Sequence, residues 1–351
     1  MAKRAKPEEI IETDRMDGQP HPRETFALIG QDVPLGRAAR AIRAGRVPSA
    51  WLLTGPPGIG KATLAYRIAR YLLAYGATDR GPEDLSVPAN DPTAMQVEAG
   101  AHPGLLVLKR GINANTGKLM TVLGVDEIRR LAGFFGMTSG AGGWRIAIVD
   151  TADDMNDAAA NALLKALEEP PARAMLMLLA NAPGRLLPTI RSRCQRLDLR
   201  PLGEAELTKE LEDRVPDLAA KERAQLARLA GGSLGAALSL AGEDGLAMAE
   251  EADRLIDRAA SPDLAATLAL AEKLARTTDG VENFGRFLIE VLTDRIRARA
   301  LTGAVRLDRW TTLLEQLKSS FIRTDALHLE PRQTILSASR AITTAARGRA
   351  L

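Results

Sequence analysis

The sequence predicts an α/β fold: a phosphate-loop domain built on a parallel sheet, followed by a helical half. Three observations predict it. A glycine-rich stretch, Gly55-Pro56-Pro57-Gly58-Ile59-Gly60-Lys61-Ala62-Thr63, lies between an apolar run and a helical run, the strand–loop–helix order that cradles phosphate. Apolar segments of strand length then alternate with helical periodicity up to about residue 200, which implies parallel strands covered on both faces. From Pro201 onward only helical periodicity remains.

The elements follow in order. Residues 1–24 are polar, with Gly18, Pro20 and Pro22, and are expected to form a flexible tail. Residues 38–46 read as a helix, 50–53 as a short buried strand and 64–75 as a helix. Residues 76–100 are rich in Gly, Pro, Asp and Asn and read as an extended loop. Residues 104–108 form a second strand, 111–119 a turn, and 125–135 a helix with Asp126 and Glu127 suited to its first turn. Trp144 to Asp150 is a strand closed by a carboxylate. Residues 158–168 form a helix stopped by Pro170-Pro171, and 174–180 are a buried strand. Asp153 and Asp154 are expected to cap the helix that begins near 158. Beyond Pro201 helices are expected at 204–215, 219–229 and 234–241, the last capped by Gly231-Gly232-Ser233. Longer helices are expected at 247–259, 262–275, 281–301, 307–319 and 332–346.

Composition narrows the function. A chain of 351 residues implies two or three domains. Aromatics make up only 3% and net charge is +3, too few stacking platforms and too little charge to argue nucleic-acid binding by themselves. No apolar run approaches a membrane span, and the basic start, Met1 to Pro7, lacks the apolar core of a secretory signal. The single cysteine, Cys194, excludes a disulfide framework and a Cys-rich zinc module. A cytoplasmic location is expected.

The candidate chemistry gathers at the carboxyl ends of the expected strands, where ligands of parallel sheets bind. Gly55, Gly58 and Gly60 let backbone N–H groups turn inward, and Lys61 can reach outer phosphates. Ala62 stands where Ser or Thr normally offers Mg²⁺ a hydroxyl, and Thr63 points about 100° away along the helix. Asp150 is placed to meet Mg²⁺ directly or through water, but Thr151 occupies the next position, where an acidic residue would polarise attacking water. Asn181 reads equally as a γ-phosphate sensor or as a turn residue before Pro183. Arg185, Arg191, Arg193, Arg196 and Arg200 read as a basic surface. His21, His102 and His328 are isolated in sequence, and no nucleophile–base pair or metal-ligand spacing stands out.

On these residues the chain resembles the clamp-loader group of AAA+ ATPases, and within it the delta-prime family of bacterial DNA polymerase III. The likeness starts near Ile29-Gly30-Gln31 and rests most on Asn161-Ala162-Leu163-Leu164-Lys165-Ala166-Leu167-Glu168-Glu169-Pro170-Pro171 and on the run from Leu186 to Ser192-Arg193-Cys194. It weakens through the helical half.

The resemblance implies an AAA+ P-loop nucleotide-binding domain over 25–200, a small helical lid over 201–242 and a helical collar for oligomerisation over 243–351. It implies an open hetero-pentameric ring, with motor tau/gamma and delta subunits as partners, that spends ATP to place a sliding clamp on primed DNA. Arg193 would be an arginine finger serving a neighbour's ATP site. ATP at residues 55–63, with Asp150 and Asn181 alongside, would be held weakly or without hydrolysis, and Mg²⁺ would come with the nucleotide. Three departures support that role. Ala62 and Thr151 replace expected Mg²⁺ and water-activating groups, and Gly235 in Gly232-Ser233-Leu234-Gly235 stands where motor subunits carry an arginine. Zinc is not expected, because 76–100 lacks cysteine. An ATP-hydrolysing motor subunit of the same machine is the alternative reading. A small-molecule P-loop phosphotransferase is a remote one that leaves the helical half unexplained.

Overall fold

The structure, a computed structural model, describes residues 14–15, 19–112, 120–136, 143–242, 245–276, 280–301, 307–327 and 330–346. The expected turn at 111–119 and His328 therefore fall largely or wholly outside the described residues. The chain divides into two compact units, one of residues 1–202 with Ser233–Gly235, the other of 203–232 and 236–351.

The first unit contains α1 (Asp32–Arg43), β1 (Ala50–Thr54), α2 (Lys61–Tyr75), α3 (Pro92–Glu98), β2 (Leu105–Leu108), α4 (Val125–Gly136), β3 (Arg145–Val149), α5 (Asp157–Glu168), β4 (Ala174–Ala180), α6 (Pro188–Arg193) and β5 (Gln195–Asp198). The five strands are parallel in the order β2-β3-β4-β1-β5, the parallel α/β sheet that the sequence predicts. Side chains alternate between two cores. On one face Trp51, Leu53, Ile148, Met177 and Leu179 pack with Ile42 of α1 and Leu64, Ile68 and Leu72 of α2. On the other Leu52, Val149, Leu176 and Leu178 pack with Ile128 and Leu131 of α4 and Leu163 of α5. Both faces of β1 and β4 are buried along their whole length, which is why those strands are almost wholly apolar rather than alternating.

Four expectations need correction. Part of the expected tail is anchored: His21 is fully buried, and Arg70 of α2 donates to the carbonyls of Arg23 and Thr25 and stacks over Phe26. The expected loop at 76–100 contains α3, started by Asp91, whose carboxylate accepts the N–H groups of Thr93 and Ala94, with Pro92 at the first helical position. Leu85, Val87, Ala94 and Val97 sink into the core from this segment, and Arg67 pairs with Asp84 at 2.7 Å. Asp153 and Asp154 lie in a 3-10 turn, and the residue that caps α5 is Asn156, which accepts the Ala159 N–H at 2.8 Å. Finally, α6 and β5 had no counterpart in the sequence reading.

The second unit is helical: α7 (Glu204–Arg214), α8 (Ala220–Leu229), α9 (Leu234–Ala241), α10 (Gly245–Asp257), α11 (Leu264–Ala275), α12 (Gly280–Leu301), α13 (Asp308–Leu327) and α14 (Pro331–Ala346). Its core forms around α12, where Phe284, Leu288 and Leu292 meet Ile256 of α10, Leu274 of α11, Trp310, Leu313 and Leu317 of α13, and Ile335 and Ile342 of α14. Arg295 of α12 bridges Asp253 and Asp257 of α10. Leu229 of α8 joins the same core, and Arg286 of α12 donates to Ser239 of α9. The second unit thus takes in most of the 201–242 segment together with the 243–351 segment, while Ser233–Gly235 groups with the first unit.

Candidate phosphate-binding site

Sheet order assembles the site. The carboxyl ends of β1, β4 and β3 lie side by side, and Thr54 pairs with Ala180, so the loop that leaves β1 begins next to Asn181. That loop turns through Gly55, Gly58 and Gly60 at φ of 144°, 74° and 98°, a backbone that side chains resist. A Cβ on Gly55 would lie 2.5 Å from Ile59 Cδ1 and 2.9 Å from the Leu199 carbonyl oxygen, so this glycine is required by space as well as by conformation. Pro56 and Pro57 are exposed, and Ile59 is buried beneath them. Gln31 braces the loop from below: its amide donates to the carbonyls of Ile59 and Arg200 and accepts the Arg200 N–H. Ser233 donates to the Pro57 carbonyl at 3.0 Å, and the Gly235 N–H donates to the Gly58 carbonyl at 3.0 Å. Position 235 thus reaches the loop through its backbone alone.

Lys61 opens α2 and is 8% exposed. Its Nζ donates to the carbonyls of Gly55 (2.8 Å) and Pro56 (2.6 Å) and to Asn181 Oδ1 (2.7 Å). Burial pushes its ammonium down to about 8, against the opposing pull of Asp150 and Asp153. Asp150, at the end of β3, is raised to about 6, chiefly by burial and then by Asp14, while the Thr151 N–H, Lys61 and Arg110 hold it down. Two carboxylates, one lysine and one amide therefore converge beside the loop, as the sequence pattern expected for Lys61, Asp150 and Asn181.

The loop fits phosphate: Gly55 has no room for a side chain, Gly58 and Gly60 turn through positive φ, and a buried ammonium sits at the start of a helix. The groups for a hydrolytic metal are thinner. Ala62 packs against the core as a methyl group, and among the described residues no cluster of His, Cys, Asp and Glu is placed to hold a metal ion. Thr63 is half-buried on α2. Thr151 adopts left-handed backbone (φ 47°, ψ 48°), a strained conformation for a β-branched residue, and its buried Oγ1 finds no hydrogen-bond partner among the described residues.

Sequence reasoning missed two contributors. Asp153 is 7% exposed, and its carboxylate accepts the N–H groups of Asn181 (3.2 Å) and Ala182 (2.7 Å); it holds the end of β4 rather than an α-helix. Asp14 is buried beside His21 and Lys109. Burial alone raises its carboxyl, but hydrogen bonds from those two side chains outweigh burial and leave it at about 2. No local pattern announces either contact.

Arg193 lies elsewhere. It ends α6, just before β5, and Gln195 at the start of β5 pairs with Trp51 near the start of β1. The guanidinium is exposed, bonded to Glu168 Oε1 at 3.0 Å and to the Thr189 carbonyl at 3.2 Å. It therefore sits at the amino-terminal edge of the sheet, while the phosphate loop leaves the opposite edge, a separation of about 13 Å along β1 at ~3.3 Å per residue. Cys194 beside it is half-buried, and burial raises its thiol to about 11, which makes it a poor nucleophile.

Comparisons with known proteins are consistent among themselves. Residues 30–203 match the family model described as DNA polymerase III, delta subunit. The DNA polymerase III subunit delta' of Pseudomonas aeruginosa is 36% identical over 184 residues, 52% of this chain and 53% of that protein. The subunit delta' of Escherichia coli is 36% identical over 200 residues, 56% of each chain. The chain spans about half the length of these curated relatives. Among solved structures, a DNA polymerase III gamma subunit-related protein of Thermotoga maritima overlays at a TM-score of 0.42 and 21% identity, covering 88% of this chain and 99% of that one.

Proposed function

We propose, from the match of residues 30–203 to the family described as DNA polymerase III, delta subunit, that the chain belongs to that family and is a non-hydrolysing subunit of the DNA polymerase III clamp loader, supplying Arg193 to the ATP site of a neighbouring subunit. The observation that carries this reading is the position of Arg193. An exposed guanidinium a strand's length from its own phosphate loop cannot serve that loop; it is available to another chain's triphosphate. A finger of this kind is worth about 10³–10⁵ in rate where it meets developing phosphate charge.

The chain's own loop supports the non-hydrolysing half of the proposal. Backbone N–H groups of Gly58 to Lys61 and the Lys61 ammonium would hold the phosphates of ATP, and Mg²⁺ would arrive with the nucleotide near Asp150. Yet Ala62 offers no hydroxyl, Thr151 no carboxylate, and Gly235 no side chain. Asp153, the nearest acid to stand in for the missing base, is already committed to two backbone N–H groups. In this reading the partners are the motor tau/gamma and delta subunits in a five-membered ring, and through them the sliding clamp and primed DNA, in the cytoplasm. Among the described residues no helix is long and apolar enough to cross a membrane. The second unit would hold a lid at 201–242 and a collar at 243–351.

The test is Arg193→Ala in the chain reconstituted with tau/gamma and delta subunits. The variant is expected to fold and assemble, because its ion pair to Glu168 is exposed and such pairs contribute about 0–1 kcal/mol. ATP turnover at the site it completes, and clamp loading, are expected to collapse. Unchanged turnover by the assembly would reject the finger. Brisk Mg²⁺-dependent hydrolysis by the isolated wild-type chain would favour the motor reading instead.

A further inference from the structure

We propose that Asp153 is a positioning residue of the phosphate site: it sets the orientation of Asn181 and, through it, the resting place of the Lys61 ammonium. The proposal deepens the nucleotide reading above and depends on it only for its consequence in phosphate binding.

The geometry forms a relay. β3 and β4 are neighbours, with Val149 opposite Leu178. The 3-10 turn after β3 therefore brings the Asp153 carboxylate against the end of β4. Both its oxygens accept the Asn181 N–H at 3.2 Å, and one also accepts the Ala182 N–H at 2.7 Å. Hydrogen bonds to an ionised acceptor are the strong ones, and two consecutive amides fix the backbone from which the Asn181 side chain departs. That side chain then accepts from Lys61 Nζ at 2.7 Å. An ammonium only donates, so the carbonyl oxygen of the Asn181 amide faces Lys61 and its NH₂ group is left for another acceptor.

Lys61 has three protons and three acceptors: Gly55 O, Pro56 O and Asn181 Oδ1. Two are backbone in a tight glycine turn. Asn181 is the one side chain among them. An incoming phosphate oxygen gains the ammonium most readily by replacing Asn181, whose freed amide can then turn to the terminal phosphate. Asp153 holds Asn181 within reach of that exchange. The consequence is discrimination between tri- and diphosphate rather than affinity in general.

The experiment uses the full chain and four proteins: wild type, Asp153→Asn, Asn181→Ala and the double variant. Dissociation constants for MgATP and MgADP are measured, and the rate at which an amine reagent modifies Lys61 is followed without nucleotide by peptide mass spectrometry. Asp153→Asn is expected to weaken MgATP about tenfold, the worth of one hydrogen bond to a charged group, and MgADP less than about twofold. Adding it to Asn181→Ala is expected to change nothing further. Lys61 is expected to react faster in both single variants, because Asn181→Ala deletes one acceptor of the ammonium, while Asp153→Asn lets that acceptor turn away and removes a negative charge that holds the ammonium up. A purely structural Asp153 would lower the melting temperature and leave the ATP:ADP ratio and Lys61 reactivity unmoved, which overturns the proposal. An effect of Asp153→Asn that persists in full without Asn181 overturns it too. If wild type binds neither nucleotide, the occupied-pocket reading fails and Lys61 reactivity alone decides the relay. Should Asp153→Asn not fold, Asp153→Ser, which keeps a smaller acceptor, takes its place in the same comparisons.

Discussion

Lys61 shows how one buried residue ties stability and ligand binding to pH in opposite senses. Its ammonium titrates at about 8 in the fold, against 10.5 for an exposed lysine. Between those values the unfolded chain binds a proton that the folded chain lacks, so stability rises with pH across that window. Below about 8 both states are protonated, and the full cost of burying the charge is present. An anionic ligand asks the reverse, since it needs the ammonium charged. Affinity for MgATP is therefore expected to fall by roughly tenfold for each pH unit above 8, and Lys61→Met is expected to flatten that profile. Titration calorimetry from about pH 7 to 9.5 checks both. A wild-type profile as flat as the variant's would mean that the ammonium is not the phosphate ligand.

At the scale of elements, what was legible in the sequence follows burial. β1 and β4 are buried on both faces, so their apolar runs identified them with almost no ambiguity, and the long amphipathic helices of the second unit were placed nearly as well. β5 reads Gln195-Arg196-Leu197-Asp198, and only Leu197 is buried. An edge strand with three exposed polar positions carries no periodic signal. The start of α3 was written in Asp91-Pro92, but its surroundings of Gly, Pro and Asn hid it. Within the site, the loop, Lys61, Asp150 and Asn181 were legible because each ends or begins an element. Asp153 was not, because its contact depends on strand register across a sequence separation of 28. Two helix glycines test the same principle of local context. Gly133 of α4 has open space where a Cβ would lie, whereas a Cβ on Gly285 of α12 would come within 2.4 Å of Phe321 Cδ1 of α13. Gly133→Ala is expected to stabilise by about 0.5–1 kcal/mol through backbone entropy and helix propensity. Gly285→Ala is expected to destabilise by about 1 kcal/mol, because overpacking of ~1–3 kcal/mol exceeds the propensity gain. Urea midpoints of the two variants check the signs; equal shifts would mean that α12 and α13 do not approach so closely.

At the scale of the whole chain, the two units differ in what they need to stay folded. The first carries two cores of its own, one on each face of the sheet. The second has one core, centred on α12, and draws α8 into it through Leu229. A chain ending at Gly242 therefore keeps the first unit's cores and the α7–α8 pairing, but strips α8 of the core it joins through Leu229 and α9 of its α12 neighbour at Ser239. Helices of 11, 10 and 8 residues are too short to persist in water without that core behind them. Such a chain is expected to retain the cooperative melting of its sheet domain while losing the helical circular-dichroism signal of α7 to α9 as well as that of the deleted helices. If residues 243–351 form the collar of a ring, the same truncation also abolishes co-elution with tau/gamma and delta subunits in size-exclusion chromatography, whereas Arg193→Ala still co-elutes. The pair of results separates two roles that a loss of activity alone would confuse: one segment brings the chain to its neighbours, and one exposed guanidinium acts once it is there. Co-elution of the truncated chain would move the assembly surface into residues 1–242, and with it the source of whatever force seats Arg193 against a partner.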